Sequence, residues 1–554
     1  MYMVYSPYTK QLFDGGQMTL NARFRVPMPE SGVIVRRGGA GGRDTVYKVL
    51  ETFRNAKGQP TNTRKAIGRL DHESGMLIPN NAYYELYDSA GFVEVLPAYN
   101  SVKNIGATFL LSHIFSTLGV SSLLEDIFGE RRSSALLTGA MYMACRGNVF
   151  EQVLDWCDNS LLYEKPLSSQ SASELFASIS FDERMAFFRS WVERHKGKEG
   201  YLVYDVTSFS TYSKGISDAE WGYNRDGDKL AQINLGCYLL EDIGLPMFYV
   251  TYPGSIVDKS HMRYMMAYND DLDIKDAGFV MDRGFCSPDN ARWLHSTRSR
   301  YVMATEMRYK MVQNAVEKVR SGITSYRHRV ADEVYGRPVR SSFYGVPTTM
   351  HVYYSAELAI QHRRDMIRTM EIQEERLKQI KTLSKNQAKY YERFFNISRK
   401  EDGTFTFFCD ESKVDEASKY SGFFCLLSNM ALTSAQILSI YKRRDVLEKN
   451  FDDVKNHIDM KRLRTHGDAT TDGKLFCAFI ALIAVSELTH KLKDFKEKKS
   501  MSKDSIISEL EKIKSISAAG NRRMMNPLTK KQREIFEAFG LNQNKLHSYV
   551  SANQ

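Results

Sequence analysis

The chain has 554 residues, enough for several domains that each bury a core of their own. Its 43% hydrophobic and 26% charged residues form an ordinary globular balance, with no low-complexity tract of the kind that marks disorder. A net charge of +10 and a pI near 9.0 favour a polyanionic partner, while charge alone leaves a basic protein without a nucleic-acid role open.

The seven cysteines are scattered and form no C-x-x-C pair. They read as reduced, mostly buried thiols of a cytosolic protein and suggest no zinc site. The amino terminus, MYMVYSPYTKQLFDGG, lacks the basic-then-apolar pattern of a signal peptide. The longest apolar run, LFCAFIALIAV from Leu475, is too short to span a bilayer and reads as a core helix, so no membrane association is expected.

Residues 1–100 alternate and are broken by turns, which predicts a small β-rich domain. Its glycine cluster (Gly38, Gly39, Gly41, Gly42) lacks a following Gly-Lys-Ser/Thr and reads as a hairpin or flexible loop, not a phosphate loop. Over 101–198 the period becomes helical and predicts several short helices joined by polar turns. The turn Lys196–Gly200 then opens a segment, 199–305, that predicts strands at 201–204, 232–240, 245–254, 278–281 and 301–305. A helix is expected over roughly Ser260–Tyr268.

Two acids stand out in this segment. Asp205 closes the apolar run Tyr201–Tyr204, with Thr207 two residues on. Asp282 closes Gly278–Met281 and is followed by an Arg283-Gly284 turn and a Ser287-capped helix with Pro288 at its first position. A carboxylate at a strand end can be held rigidly while its oxygens face outward. The bland alternative for Asp205 is a strand-end cap.

Residues 306–430 mix β-like pieces with one long charged helix, roughly 356–391, which reads as a solvated face. Ala431–Leu463 then reads as one long helix without Pro or Gly, opened by a Thr433/Gln436 capping box. At about 100° per residue, Arg444, Glu448 and Lys455 fall within roughly 60° of Tyr441, beside an apolar stripe of Ile440, Leu447, Phe451, Val454 and Ile458. An amphipathic helix with border salt bridges such as Arg444–Glu448 would give the same pattern. Residues 431–490 are expected to form one unit, and the lysine-rich 491–554 a basic helical tail suited to dimer contacts.

The spacing Tyr441-x2-Arg444-x3-Glu448-x6-Lys455 resembles the YREK signature of cut-and-paste insertion-sequence transposases of the DDE type. The resemblance implies an α/β fold: a ribonuclease-H-like catalytic core interrupted by a β-rich insertion at 306–430, preceded by an N-terminal β domain and an α-helical domain. Asp205, Asp282 and Glu448 would be the catalytic, metal-binding acids, holding two Mg²⁺ ions for which Mn²⁺ can substitute. Tyr441, Arg444, Lys455, Arg283, Thr207, Arg462 and Arg464 would contact DNA.

The implied reaction is nicking of double-stranded DNA at the terminal inverted repeats of a mobile element, then transfer of the 3′-OH strands to target DNA. A homodimer on DNA, in the cytoplasm of a bacterium or archaeon, is expected. Relatives stack an insertion Trp on a flipped base. This insertion has none, which leaves Phe343, Tyr344 and Tyr353 as aromatic candidates. A catalytically idle DNA-binding relative and a nuclease of the same fold without strand transfer remain open.

Overall fold

The computed structural model describes residues 25–38, 44–55, 57–72, 74–87, 102–162, 166–195, 201–224, 226–240, 243–257, 260, 262, 268, 271–272, 278–518 and 522–552. The amino-terminal segment, Gly39, Gly41 and Gly42, the Lys196–Gly200 turn and most of the helix expected near 260–268 lie outside them. The chain forms two compact units, Met1–Ser101 with Ser517–Arg523, and Val102–Ile516 with Met524–Gln554.

The first unit is an antiparallel sheet, β1 (Val33–Arg36), β2 (Thr45–Arg54), β3 (Pro60–Leu70) and β4 (Leu77–Pro79), in sequential order. Its core is small, centred on the fully buried Val46, Ile67 and Leu77. β1 and β2 pair antiparallel, and Gly38, two residues after β1, takes φ +75° and donates its N–H to Asp44 Oδ1 at 3.2 Å. That use of glycine is conformational.

Most of the second unit packs around one large hydrophobic core. It opens with β5 (Val102–Asn104) and the helices Gly106–Leu118, Val120–Arg146, Val153–Asn159, Ser169–Ala177 and Phe181–Arg194. The Val120–Arg146 helix is kinked at Gly129, where φ is +71°. Ser168 and Ser180 start their helices with reciprocal capping boxes. Of these, Gly106–Leu118, Val120–Arg146 and Ser169–Ala177 pack against the helix Asp468–Lys491. Gly473 permits that packing, because a Cβ there would lie 2.0 Å from the Phe176 carbonyl oxygen. At 24 residues this helix outruns the eleven-residue apolar run. It is the one helix among the described residues long and apolar enough by itself to cross a membrane, and 83% of its apolar window is buried in the protein.

The central sheet has nine strands: β6 (Tyr201–Thr211), β7 (Ala231–Leu240), β8 (Leu245–Pro253), β9 (Gly278–Met281), β10 (Arg300–Thr305), β11 (Arg329–Ala331), β12 (Val334–Phe343), β13 (Val346–Ser355) and β16 (Phe423–Ser428). Their order is β11-β12-β13-β16-β10-β9-β6-β7-β8. Only β9 pairs in parallel, with β6 on one side and β10 on the other. Four of the strands, β11, β12, β13 and β16, lie between 306 and 430 in sequence, so much of that segment extends the central sheet. What projects from it is the hairpin β14 (Phe395–Arg399) and β15 (Phe405–Cys409) with the helices Ala356–Gln379 and Lys385–Tyr391, built on a separate small core around Leu377, Tyr391 and Phe394. The single helix expected over 356–391 is thus two, divided where Ser384 caps the second.

The C-terminal residues are integrated into the unit. Ile506, Leu510, Ile535, Phe536 and Leu546 are buried in the common core, and β17 (Lys514–Ala518) pairs with β5 through Lys514, Ser515 and Ile516.

Candidate functional site

Asp205 is not at a strand end as expected: β6 continues to Thr211, because Val206–Thr211 remain paired with β7. What does end near Asp205 is the parallel ladder with β9, whose last pair is Val203↔Val280. Extending that register by two residues sets Asp205 level with Asp282, the first residue after β9. The sheet opens between β6 and β9 at this level, and both carboxylates sit at the opening. Each is anchored locally: Asp205 Oδ1 accepts from the Val206 N–H at 2.8 Å, and Asp282 Oδ1 from the Arg283 N–H at 2.7 Å.

The third acid arrives on a helix that is broken, not continuous. Thr433 and Gln436 form the expected capping box, but the first helix, Ser434–Lys442, stops after nine residues. A second helix, Asp445–Asp452, runs into a wide turn, Asp453–His457, in which Ile458 N–H reaches back five residues to Asp453. At the break, the Arg443 and Arg444 N–H groups bond three residues back, to Ile440 and Tyr441, tightening the turn. No Pro or Gly causes it. Arg444 at this turn is instead engaged by charges on the sheet.

Its guanidinium lies 3.2 Å from Asp205, 3.6 Å from Asp282 and 2.8 Å from Glu448. Tyr441 completes the cluster by donating its hydroxyl to Asp282 Oδ1 at 3.3 Å, beneath the Arg444 guanidinium. Asp205, Asp282 and Glu448 therefore converge on one cation. Burial pushes the Tyr441 hydroxyl well above its ordinary pKa, and the Asp282 charge adds to the shift, so it stays a donor. Burial opposes the charge on Arg444. Tyr441, Asp282, Asp205 and Glu448 outweigh it and hold the pKa above the ordinary arginine value.

Three sets of contacts fix the helices that carry Tyr441, Arg444 and Glu448. At the start, buried His351 and Tyr353 on β13 bond Ser434, through its hydroxyl at 3.0 Å and its carbonyl at 2.8 Å. In the middle, the Ser486 hydroxyl donates to Asn450 at 2.8 Å. At the end, Asn148 Nδ2 donates to the Asp459 and Arg462 carbonyls, and buried Lys474 donates to Leu463 O and to both oxygens of Asn148. Ser210 on β6 also exchanges backbone bonds with Lys461 and Leu463.

The other expected DNA-contacting residues separate into three kinds. Arg283 is exposed beside Asp282. Thr207 is 2% exposed, so its side chain is closed off inside the sheet and is not available to DNA as it stands. The remaining basic residues are already paired. Lys455 donates to both oxygens of Asp226 at 2.8 and 2.9 Å, Arg462 lies 2.6 Å from Asp228, and Arg464 lies 3.1 Å from Asp459. The wide turn at Asp453–His457 interrupts the uniform helical advance that had aligned Lys455 with Glu448. Asp226, Asp228, Asn148 and Lys474 were missed in sequence. The first two lie in a polar Asn-Arg-Asp-Gly-Asp loop that reads only as a turn, and the other two depend on contacts more than 300 residues apart.

The donor set is all oxygen, as a hard divalent cation prefers. With Arg444 between the acids, no group of three acidic, His or Cys side chains among the described residues is arranged to hold a metal ion.

The chain is thus a mixed α/β protein in which acids from two adjacent parallel strands and a later helix meet on one guanidinium at an opening in the sheet. Residues 196–484, just over half of the chain, match the family described as the transposase DDE domain, and the chain belongs to that family. No curated protein is matched. Among solved structures, a cryo-EM structure of the piggyBac transposase synaptic complex with hairpin DNA is similar at 10% identity and a TM-score of 0.30, covering 64% of this chain and 57% of that one. The chain thus spans less than two thirds of that relative's length.

Proposed function

We propose that this chain is a cut-and-paste insertion-sequence transposase of the YREK group, nicking DNA at the ends of a mobile element and joining the 3′-OH strands to a target. The observation that carries the reading is the convergence of Asp205, Asp282 and Glu448 on Arg444. The strand order β8-β7-β6-β9-β10, with parallel pairing only around β9, supports a ribonuclease-H-like core whose insertion builds outward from β10.

In this reading Asp205, Asp282 and Glu448 hold divalent cations, two Mg²⁺ or Mn²⁺ ions, which when bound supply Lewis acidity and an activated oxygen nucleophile. The protein's own contribution is positional. Asp205 is held on a paired strand and Asp282 by the turn it caps, so their oxygens need little reorganisation. Glu448, with 61% of its side chain exposed, is the acid free to swing. Arg444, once the acids are otherwise neutralised, turns its planar fork to a DNA phosphate. Lys455 and Arg462 exchange Asp226 and Asp228 for phosphates in the same way. Of the three aromatic candidates for stacking on a flipped base, Phe343 and Tyr353 are fully buried, whereas Tyr344 at the β12–β13 tip is 45% exposed, and we assign the role to Tyr344. A homodimer bringing two element ends together completes the scheme.

The test is incubation of labelled element-end duplex with plasmid target and Mg²⁺. End cleavage followed by joined products is the expected result. Cleavage without joining would assign a nuclease of the same fold, and tight binding without cleavage a regulatory relative.

A further inference from the structure

The far end of the central sheet carries a second concentration of positive charge. The end of the helix Pro288–Ser296, the β12–β13 hairpin and Asn429 just after β16 enclose an open cleft of about 540 Å³. His295, Arg298, Arg340, Ser341, Thr349 and Asn429 line it, and no carboxylate does among the described residues. Arg298 and Arg340 are both exposed, and neither makes an ion pair among the described residues. This contrasts with Lys455, Arg462 and Arg464, each of which has an acid in contact.

The frame of the cleft is rigid. Arg340 and Ser341 stand opposite Thr349 and Thr348 in the hairpin register. Asn429 is locked between the Ser299 carbonyl at 2.7 Å and the Tyr301 N–H at 3.1 Å. Two guanidiniums and an imidazole beside hydroxyl and amide donors, with no acid to balance them, suit an oxyanion that accepts several hydrogen bonds at once.

Position decides which oxyanion. In the β9–β10 register Met281 pairs with Met303, so Asp282 stands level with Ala304, whereas Arg298 precedes β10. At about 3.3 Å per residue the cleft lies roughly 15–20 Å from the acids along the strands, at the opposite edge of the sheet. We propose that this cleft is a second DNA-backbone site, taking phosphodiester groups of a duplex segment other than the one being cut. The inference rests on the transposase reading for the identity of the polyanion, and on the cleft alone for the anion.

The experiment compares wild type with an Arg298→Asn/Arg340→Gln double variant, using a long duplex of arbitrary sequence over a salt series. Asn is chosen because Arg298 has φ +56°, a conformation Asn tolerates. The log K against log salt slope should become shallower by about 1–2, at about 0.9 per lost phosphate contact. Nicking of a short element-end duplex and the thermal midpoint should stay as in wild type, and an Arg298→Lys/Arg340→Lys pair should keep most of the slope. An unchanged slope at unchanged stability overturns the proposal, as does competition by inorganic phosphate with no preference for duplex. If the double variant is destabilised, Arg340→Gln alone decides by the same slope. If the double variant shows the expected slope loss but wild type never nicks, the transposase reading is sunk and the backbone site stands.

Discussion

Replacing Arg444 by Met tests the site without reference to DNA. The guanidinium lies within 3.6 Å of three carboxylates, and its own side chain is only 15% exposed. Removing it leaves Asp205 and Asp282 facing each other with no cation between them. Breaking one partner from a buried ion pair costs about 3–5 kcal/mol. The Glu448 contact, largely solvated, contributes about 0–1 kcal/mol. Because Asp205 and Asp282 are only partly buried, the buried-pair figure is discounted for solvent screening, and a loss of roughly 2–4 kcal/mol is expected in metal-free buffer. Urea unfolding in a chelator should show it as a lower midpoint with unchanged slope. Millimolar Mn²⁺ should then stabilise the variant more than wild type, since no guanidinium competes for the acids. A variant as stable as wild type in chelator, or one that gains less from Mn²⁺ than wild type, would refute the assignment of Arg444 as the counter-charge of this site.

His351 is fully buried against Ser434, and burial lowers its pKa to about 4. The folded state therefore binds fewer protons than the unfolded chain, so stability is complete above pH 6.5 and falls as pH drops from 6.5 toward 4, by roughly 2–3 kcal/mol. His351→Gln should lose that part of the acid sensitivity, measured as the difference between the two pH–stability curves. If the curves stay parallel, the imidazole titrates alike in both states. Gly473→Ala should destabilise by at least about 2–3 kcal/mol, because its Cβ would meet the Phe176 carbonyl oxygen, so a midpoint equal to wild type would contradict the packing described. Asp226→Asn should free Lys455 and steepen the salt dependence of DNA binding by up to about one contact. No change would mean that Lys455 is a structural partner of its loop and never meets a phosphate.

Much of the architecture was legible because it follows local rules. Short apolar runs marked β6 to β10, and Thr433 with Gln436 marked the start of the acid-bearing helix. Spacing picked out Tyr441 and Arg444, which do meet Asp205 and Asp282, and Glu448, which joins them through Arg444. The misses have a common cause. The continuation of β6 past Asp205 is driven by pairing with β7, which no local pattern near Asp205 reports. The break at Arg443–Arg444 and the wide turn at Asp453–His457 arise with tertiary contacts in a segment with good helix formers throughout. Helical projection therefore placed Lys455 beside Glu448, while the folded chain gives it to Asp226. The separation of 306–430 likewise dissolves once β16 pairs with both β10 and β13.

The central claim is that Asp205, Asp282 and Glu448 act as one site on DNA. It is tested most directly by Mg²⁺-dependent nicking of labelled duplex by wild type beside Asp205→Asn, Asp282→Asn and Glu448→Gln, with duplex binding measured in parallel. The account predicts nicking by wild type, its loss by orders of magnitude in all three variants, and retained binding in each. Nicking that survives in any one of them, at wild-type rate, would contradict it.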